Sequence, residues 1–182
     1  PWAILKIWQG GLAIHGALAG GFLAVVVWAH RNKESVWQYL DLLALSLPLG
    51  QAIGRWGNYF NQELFGQPTT SWWGIYIEAI NRPDGWVNFS TFQPVFLYES
   101  LLSLALFWWL WHKRASGQGA VVGWYLIGYG IIRFVLEFIR LDQVEGLLGL
   151  RWPQIISLVM VIVGLIILLP KIKKSATISQ FS

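Results

Sequence analysis

The segment AVVGWYLIGYGIIRFVLEFI, residues 120–139, decides the fold class. It is as long as the roughly 20 mostly apolar residues that cross a bilayer as a helix, yet it carries Arg133 and Glu137. An ionisable side chain inside such a span costs on the order of 3 kcal/mol on insertion scales, so it marks a functional site unless a structural partner neutralises it. Tyr129, Arg133, Glu137 and Arg140 follow i, i+4, i+8, i+11 and share one helical face. Arg133 and Glu137 have the spacing of a pair that simply cancels its own charge, and Tyr129 can be a packing aromatic, so this face alone leaves both readings open.

Four more stretches read as spans: 11–29 with His15, 40–56 with Asp41 near its start and Arg55 near its end, 95–111 with Glu99, and 155–169 with nothing more polar than Ser157. The expected fold is an all-α, polytopic transmembrane bundle of five spans, a single domain over residues 1–182, with a small external cap formed by the loop 59–93. That loop is too polar, and too interrupted by Gly66, Pro68, Pro83 and Gly85, to span, and it shows strand-like alternation from Trp72 to Ile80. The tripeptide Asn88-Phe89-Ser90 within it matches a glycosylation acceptor, a pattern common by chance.

Composition agrees. Of 182 residues only 12% are charged, about half the share of a soluble domain, while 13 Trp, 10 Phe and 6 Tyr suit interfacial belts at the bilayer faces. The net charge of +4 says little as a sum, because in a membrane protein the placement of Lys and Arg matters more than their total, and nucleic acid is a poor default partner. With no cysteine, the chain can supply neither a disulfide, nor a thiolate metal site, nor a thiol nucleophile. Arg31 and Lys33, Lys113 and Arg114, and Lys171, Lys173 and Lys174 follow the first, third and fifth spans. By the excess of positive charge in cytoplasmic connectors these put the C-terminus inside. The chain begins at Pro1 with apolar sequence and no signal-peptide pattern, which reads as an N-terminally truncated fragment.

This sidedness places His15, Arg55, Glu99, Arg133 and Glu137 together in the outer leaflet. Singly each has a bland alternative: His15 as a packing histidine, Glu99 as the partner of an arginine. Gln51, Arg55 and Asn58 share a face of the second span, and the glycines around Gly16 and Gly20 permit close helix approach. Two arginines beside a histidine and a glutamate suit an anionic lipid headgroup, because a guanidinium binds phosphate oxygens bidentately and histidine can accept a proton near neutral pH. The residues thus favour a transferase or hydrolase acting on phospholipid. The alternative is a transporter with an Arg/Glu relay, or a lipid-binding scaffold; a transporter would need polar groups in the cytoplasmic half, which is nearly bare apart from Asp41.

The run from Gly54 to Gly66, GRWGNYFNQELFG, closely resembles the signature Gly-Arg-x-Gly-Asn-Phe-x-Asn-x-Glu-x-x-Gly of the bacterial prolipoprotein diacylglyceryl transferases. Gly10-Gly11 through His15-Gly16, Leu97-Tyr98-Glu99, and Tyr129 through Arg140 resemble further segments of that family in order and spacing. The resemblance implies transfer of the diacylglyceryl group of phosphatidylglycerol to the lipobox cysteine of a preprolipoprotein signal peptide. A thioether forms and glycerol phosphate leaves, at the bacterial inner membrane and without cofactor or metal. It implies His15 as a candidate general base, Arg55 and Arg133 as the arginines that hold and polarise the phosphate, and Asn58, Asn61, Glu63, Gly66, Glu99, Tyr129, Glu137 and Arg140 as residues shaping the substrate site. Tyr59 replaces the signature phenylalanine, and Gln93 and Phe96 stand where many members have His and Gln. The family's additional N-terminal spans have no counterpart here.

Overall fold

A computed structural model describes residues 13–141, 146–147 and 149–179. Its helices are α1 (Ala13–Arg31), α2 (Val36–Phe60), α3 (Val95–Lys113), α4 (Ala120–Leu136) and α5 (Trp152–Ser179). The chain is mostly helical, but the connectors add two short antiparallel hairpins, β1 (Ile75–Tyr76) with β2 (Thr91–Phe92) and β3 (Gly146–Leu147) with β4 (Leu150–Arg151). These small sheets depart from the all-α expectation because the loop between α2 and α3 buries its own apolar cluster of Phe65, Ile77 and Phe92.

Each helix falls on one of the five apolar stretches, with shifted ends. α2 starts four residues before and ends four residues after 40–56. Its polar last turn remains helical because Asn58 finds side-chain partners there. α4 stops at Leu136 rather than Ile139: the Glu137 N–H reaches both Arg133 O and Val135 O, the tightened geometry of a helix end. Among the described residues α3 and the Trp152–Pro170 part of α5 are long and apolar enough to cross a membrane, and α4 is a shorter apolar helix. On α5, Ile156, Val159, Ile162 and Ile166 are each more than half exposed, the outward apolar face that a lipid-facing helix presents.

The described residues form two compact units divided between Leu40 and Asp41. In the first, α1 turns through Lys33, which takes a left-handed φ of 56°, and Trp28 packs edge-to-face on Tyr39 at 4.9 Å. In the second, α2, α3 and α4 share a core of Ala44, Leu106, Leu110, Val121 and Tyr125. α4 lies against α5 at glycines: a Cβ on Gly123 would meet Leu168 Cγ at 2.7 Å, and one on Gly164 would meet Gly123 O at 2.7 Å. Such contact between helix backbones is the close approach that small residues allow in lipid.

Two further devices fix the helices in this unit. The Asp41 carboxylate on α2 accepts the Gly119 N–H at 2.5 Å and the Val122 N–H at 2.9 Å, capping the start of α4 from a neighbouring helix. Ser100 on α3 donates to Ala52 O on α2 at 2.8 Å. The strand-like segment after α2 is tied on both sides. Gly66 N–H donates to Gln93 O and Gln67 N–H to Ile139 O, so the exit of α2 is laced to the start of α3 and the end of α4.

Candidate anion-binding site

Gln51 and Arg55 stand one turn apart on α2 and meet Tyr125 and Tyr129, one turn apart on α4. Gln51 Nε2 donates to Tyr125 Oη at 2.8 Å, Arg55 Nη2 lies 3.5 Å from Tyr129 Oη, and the two tyrosine rings stack at 5.7 Å with 5° between planes. The i,i+4 period of each helix produces this ladder, and it aims Arg55 at Glu99 on α3.

Glu99 is 2% exposed and serves three donors. Arg55 Nη2 is 2.6 Å from Oε1, the Tyr129 hydroxyl donates to Oε1 at 3.1 Å, and Arg133 Nη1 is 3.2 Å from Oε2. Glu99 is therefore the partner of two arginines and holds them side by side. Arg133 Nη2 also lies 3.4 Å from Glu137 Oε2, so the i,i+4 pair forms without using up the guanidinium. Glu137, 1% exposed, in turn meets Arg140 Nε at 3.8 Å and Arg151 Nη1 at 3.4 Å.

Arg55 and Arg133 thus share the single Glu99 carboxylate, one on each oxygen. Removing charge from water is costly unless it is paired, so two guanidinium groups sharing one carboxylate are suited to receive an anion. Arg55 keeps 21% of its side-chain surface and Arg133 14%; both guanidinium groups offer a planar fork to a phosphate or carboxylate.

The signature run forms one connected network beside this cluster. Arg55 Nη1 donates to Asn58 Oδ1 at 3.3 Å, and Glu63 Oε1 accepts Asn58 Nδ2 at 2.9 Å and Asn61 Nδ2 at 3.2 Å. To curl back in this way the chain takes left-handed φ at Gln62 (51°) and Leu64 (57°), a conformation that costs non-glycine residues about 1 kcal/mol or more each. Gly66 acts through its backbone: a Cβ there would meet Val95 Cγ2 at 2.8 Å, and the residue bridges to Arg140.

Of the residues singled out in the sequence, Arg55, Glu99, Tyr129, Arg133, Glu137 and Arg140 come together, with Asn58, Asn61 and Glu63 adjoining. His15 lies on α1, but its side chain is outside the described residues, as is Gly10-Gly11. Arg151 is a neighbour that the sequence does not mark, because its contact with Glu137 depends on the β3–β4 hairpin, which carries no periodic signal. Tyr125 is a residue that the sequence reading missed, although its place four residues before Tyr129 on the same face is the signal that marks it.

Residues 1–170 match the family model for prolipoprotein diacylglyceryl transferase. The chain is similar to the phosphatidylglycerol–prolipoprotein diacylglyceryl transferase of Thermosynechococcus vestitus, at 42% identity over 88% of this chain and 61% of the relative. It is similar to the enzymes of the same name from Synechocystis sp., at 43% over 88% of this chain and 59% of the relative, and from Symbiobacterium thermophilum, at 40% over 92% and 63%. The chain thus spans about three fifths of the length of these relatives. With its arginine pair and asparagine-rich helix exit inside the matched region, the chain belongs to the prolipoprotein diacylglyceryl transferase family.

Proposed function

We propose that this chain provides the lipid-headgroup site of an enzyme that moves the diacylglyceryl group of phosphatidylglycerol onto the lipobox cysteine of a preprolipoprotein. The observation that carries the reading is the pair of arginines, Arg55 and Arg133, held on one buried carboxylate, Glu99. The names of the relatives supply the two substrates.

In this reading the phosphodiester lies against the two guanidinium groups, which stabilise the charge that builds on the departing phosphate oxygens. The substrate thiolate attacks the glycerol carbon that bears the phosphate. A carbon–sulfur bond forms, the carbon–oxygen bond to phosphate breaks with its electron pair staying on the oxygen, and glycerol phosphate leaves. The thiol proton needs an acceptor, and His15 is the candidate base. Asn58, Asn61 and Glu63 shape the mouth of the site, Tyr129, Glu137 and Arg140 set the arginines, and Gly66 keeps the exit of α2 close to α3.

The five helices then span the inner membrane as one domain, about 11–29, 40–56, 95–111, 120–139 and 155–169, with the cationic connectors inside. The loop 59–93 forms a cap outside, and the site opens to the outer leaflet. The test is incubation of the full-length protein with phosphatidylglycerol vesicles and a lipobox peptide, scored by peptide mass gain and glycerol phosphate release. Arg133→Ala should abolish thioether formation while membrane insertion persists. Unchanged lipidation in that variant would overturn the assignment, and absence of product from the inserted wild-type protein would favour a transporter or scaffold.

A further inference from the structure

A cavity of about 190 Å³ opens between the end of α2 and the loop hairpin, lined by Tyr59, Phe60, Gln62, Ile75, Tyr76 and Ile77. It lies outside the anion cluster yet begins close to it: Tyr59 follows Arg55 by one helical turn, a rise of about 6 Å. Its apolar walls stand open, with Phe60 77% and Tyr76 63% exposed. The hairpin side is held in shape. Gln62 Oε1 accepts the Glu78 N–H at 2.8 Å and Asn81 Nδ2 at 3.1 Å, while Arg82 donates to Ile77 O and Val87 O at 2.9 Å each and lies over the Tyr76 ring.

Two properties select an occupant. A void of about 150 Å³ is enough for a benzene ring, so this cavity has room for one branched or aromatic side chain and is too small for a diacyl tail. β1 pairs with β2 on one side, and among the described residues no strand pairs with its other edge. An open edge offers main-chain N–H and C=O groups to an extended peptide, while an adjoining pocket reads alternate side chains.

We propose that this cavity and the open edge of β1 seat an extended apolar segment of the acceptor polypeptide, one side chain entering between Phe60 and Tyr76. The inference rests on the transfer reading above, since a thiol that attacks a phosphate-bearing carbon must be carried to within contact of the arginines. A seat one turn from Arg55 brings the peptide alongside the headgroup site without occupying it.

The test uses the full-length protein in phosphatidylglycerol nanodiscs and a lipobox peptide. Phe60→Ser and Tyr76→Ser remove exposed side chains, which costs little folding stability. Each should raise KM for the peptide about tenfold, the scale of discrimination an apolar pocket gives, with kcat and KM for phosphatidylglycerol unchanged. Ile80→Ser, in the same loop but 88% exposed and outside the cavity, should leave all three constants unchanged. A benzophenone amino acid at position 76 should cross-link the peptide, and one at position 80 should not. Unchanged peptide KM together with no cross-link at 76, in a preparation whose wild type turns over, overturns the peptide seat. A wild type without turnover overturns the transfer reading itself.

Discussion

Replacing Glu99 by Gln removes one charge and almost no volume, so it isolates what the carboxylate does for the two arginines. At an effective dielectric constant near 20, each of its ion pairs, at 2.6 Å to Arg55 and 3.2 Å to Arg133, carries roughly 5–6 kcal/mol of gross Coulomb attraction. Most of that is offset by desolvation. Deleting one partner of a buried pair nevertheless costs about 3–5 kcal/mol, because the remaining charge is left uncompensated. In Glu99→Gln the amide oxygen can still accept from Arg55 and Tyr129. The amide N–H₂ then faces the Arg133 guanidinium, donor against donor, and two cations confront each other across a neutral group. Thermal unfolding in nanodiscs should fall by about 10 °C, given 2–4 °C per kcal/mol for a chain of this size. Displacing the arginines by about 1 Å should cost about 100-fold in kcat/KM for phosphatidylglycerol. Arg133 keeps Glu137, so the orphaned charge is Arg55; combining Glu99→Gln with Arg55→Gln removes it as well, and stability should recover in part while activity does not. Wild-type kcat/KM in Glu99→Gln would refute the view that this carboxylate holds the arginine pair.

Gly66→Ala should destabilise the protein by about 1–3 kcal/mol, because the new Cβ would sit 2.8 Å from Val95 Cγ2 and 3.1 Å from both Gln93 Cβ and Ile139 Cγ2; a lowered melting temperature with unchanged KM in the folded fraction is the expected result. Asp41→Ala removes the acceptor for Gly119 and Val122 N–H at the start of α4, a cap loss of about 1–2 kcal/mol. It should lower the melting temperature and leave kcat/KM of the folded enzyme within twofold.

Position along each helix was legible from sequence because apolar length and i,i+4 spacing are local properties. The period alone places Tyr129, Arg133 and Glu137 on one face of α4, and Glu137 meets Arg133 there. Which helix faces which is not local. Glu99 stands 44 residues after Arg55 and 34 before Arg133, and only the packing of α2, α3 and α4 makes it their common partner. Arg151 illustrates the limit. Its neighbours in the chain read as a polar connector, and a hairpin of two-residue strands has too few side chains to reveal a period of two. The glycine contact between α4 and α5 escaped for the opposite reason: Gly123 and Gly164 lie far apart in sequence, while the more conspicuous glycines near the start of the chain drew the same argument.

The pair of guanidinium groups held on Glu99 bears on the end of the proposed reaction as much as on its beginning. A phosphodiester headgroup brings a single negative charge, whereas a phosphate monoester near neutral pH carries about −1.5 to −2. Under the transfer reading the leaving group is therefore gripped more tightly than the lipid from which it came. Egress of glycerol phosphate becomes the slow step, and free glycerol phosphate is expected to compete with phosphatidylglycerol. Raised ionic strength should ease that retention and speed turnover at saturating lipid, even as it weakens the first encounter.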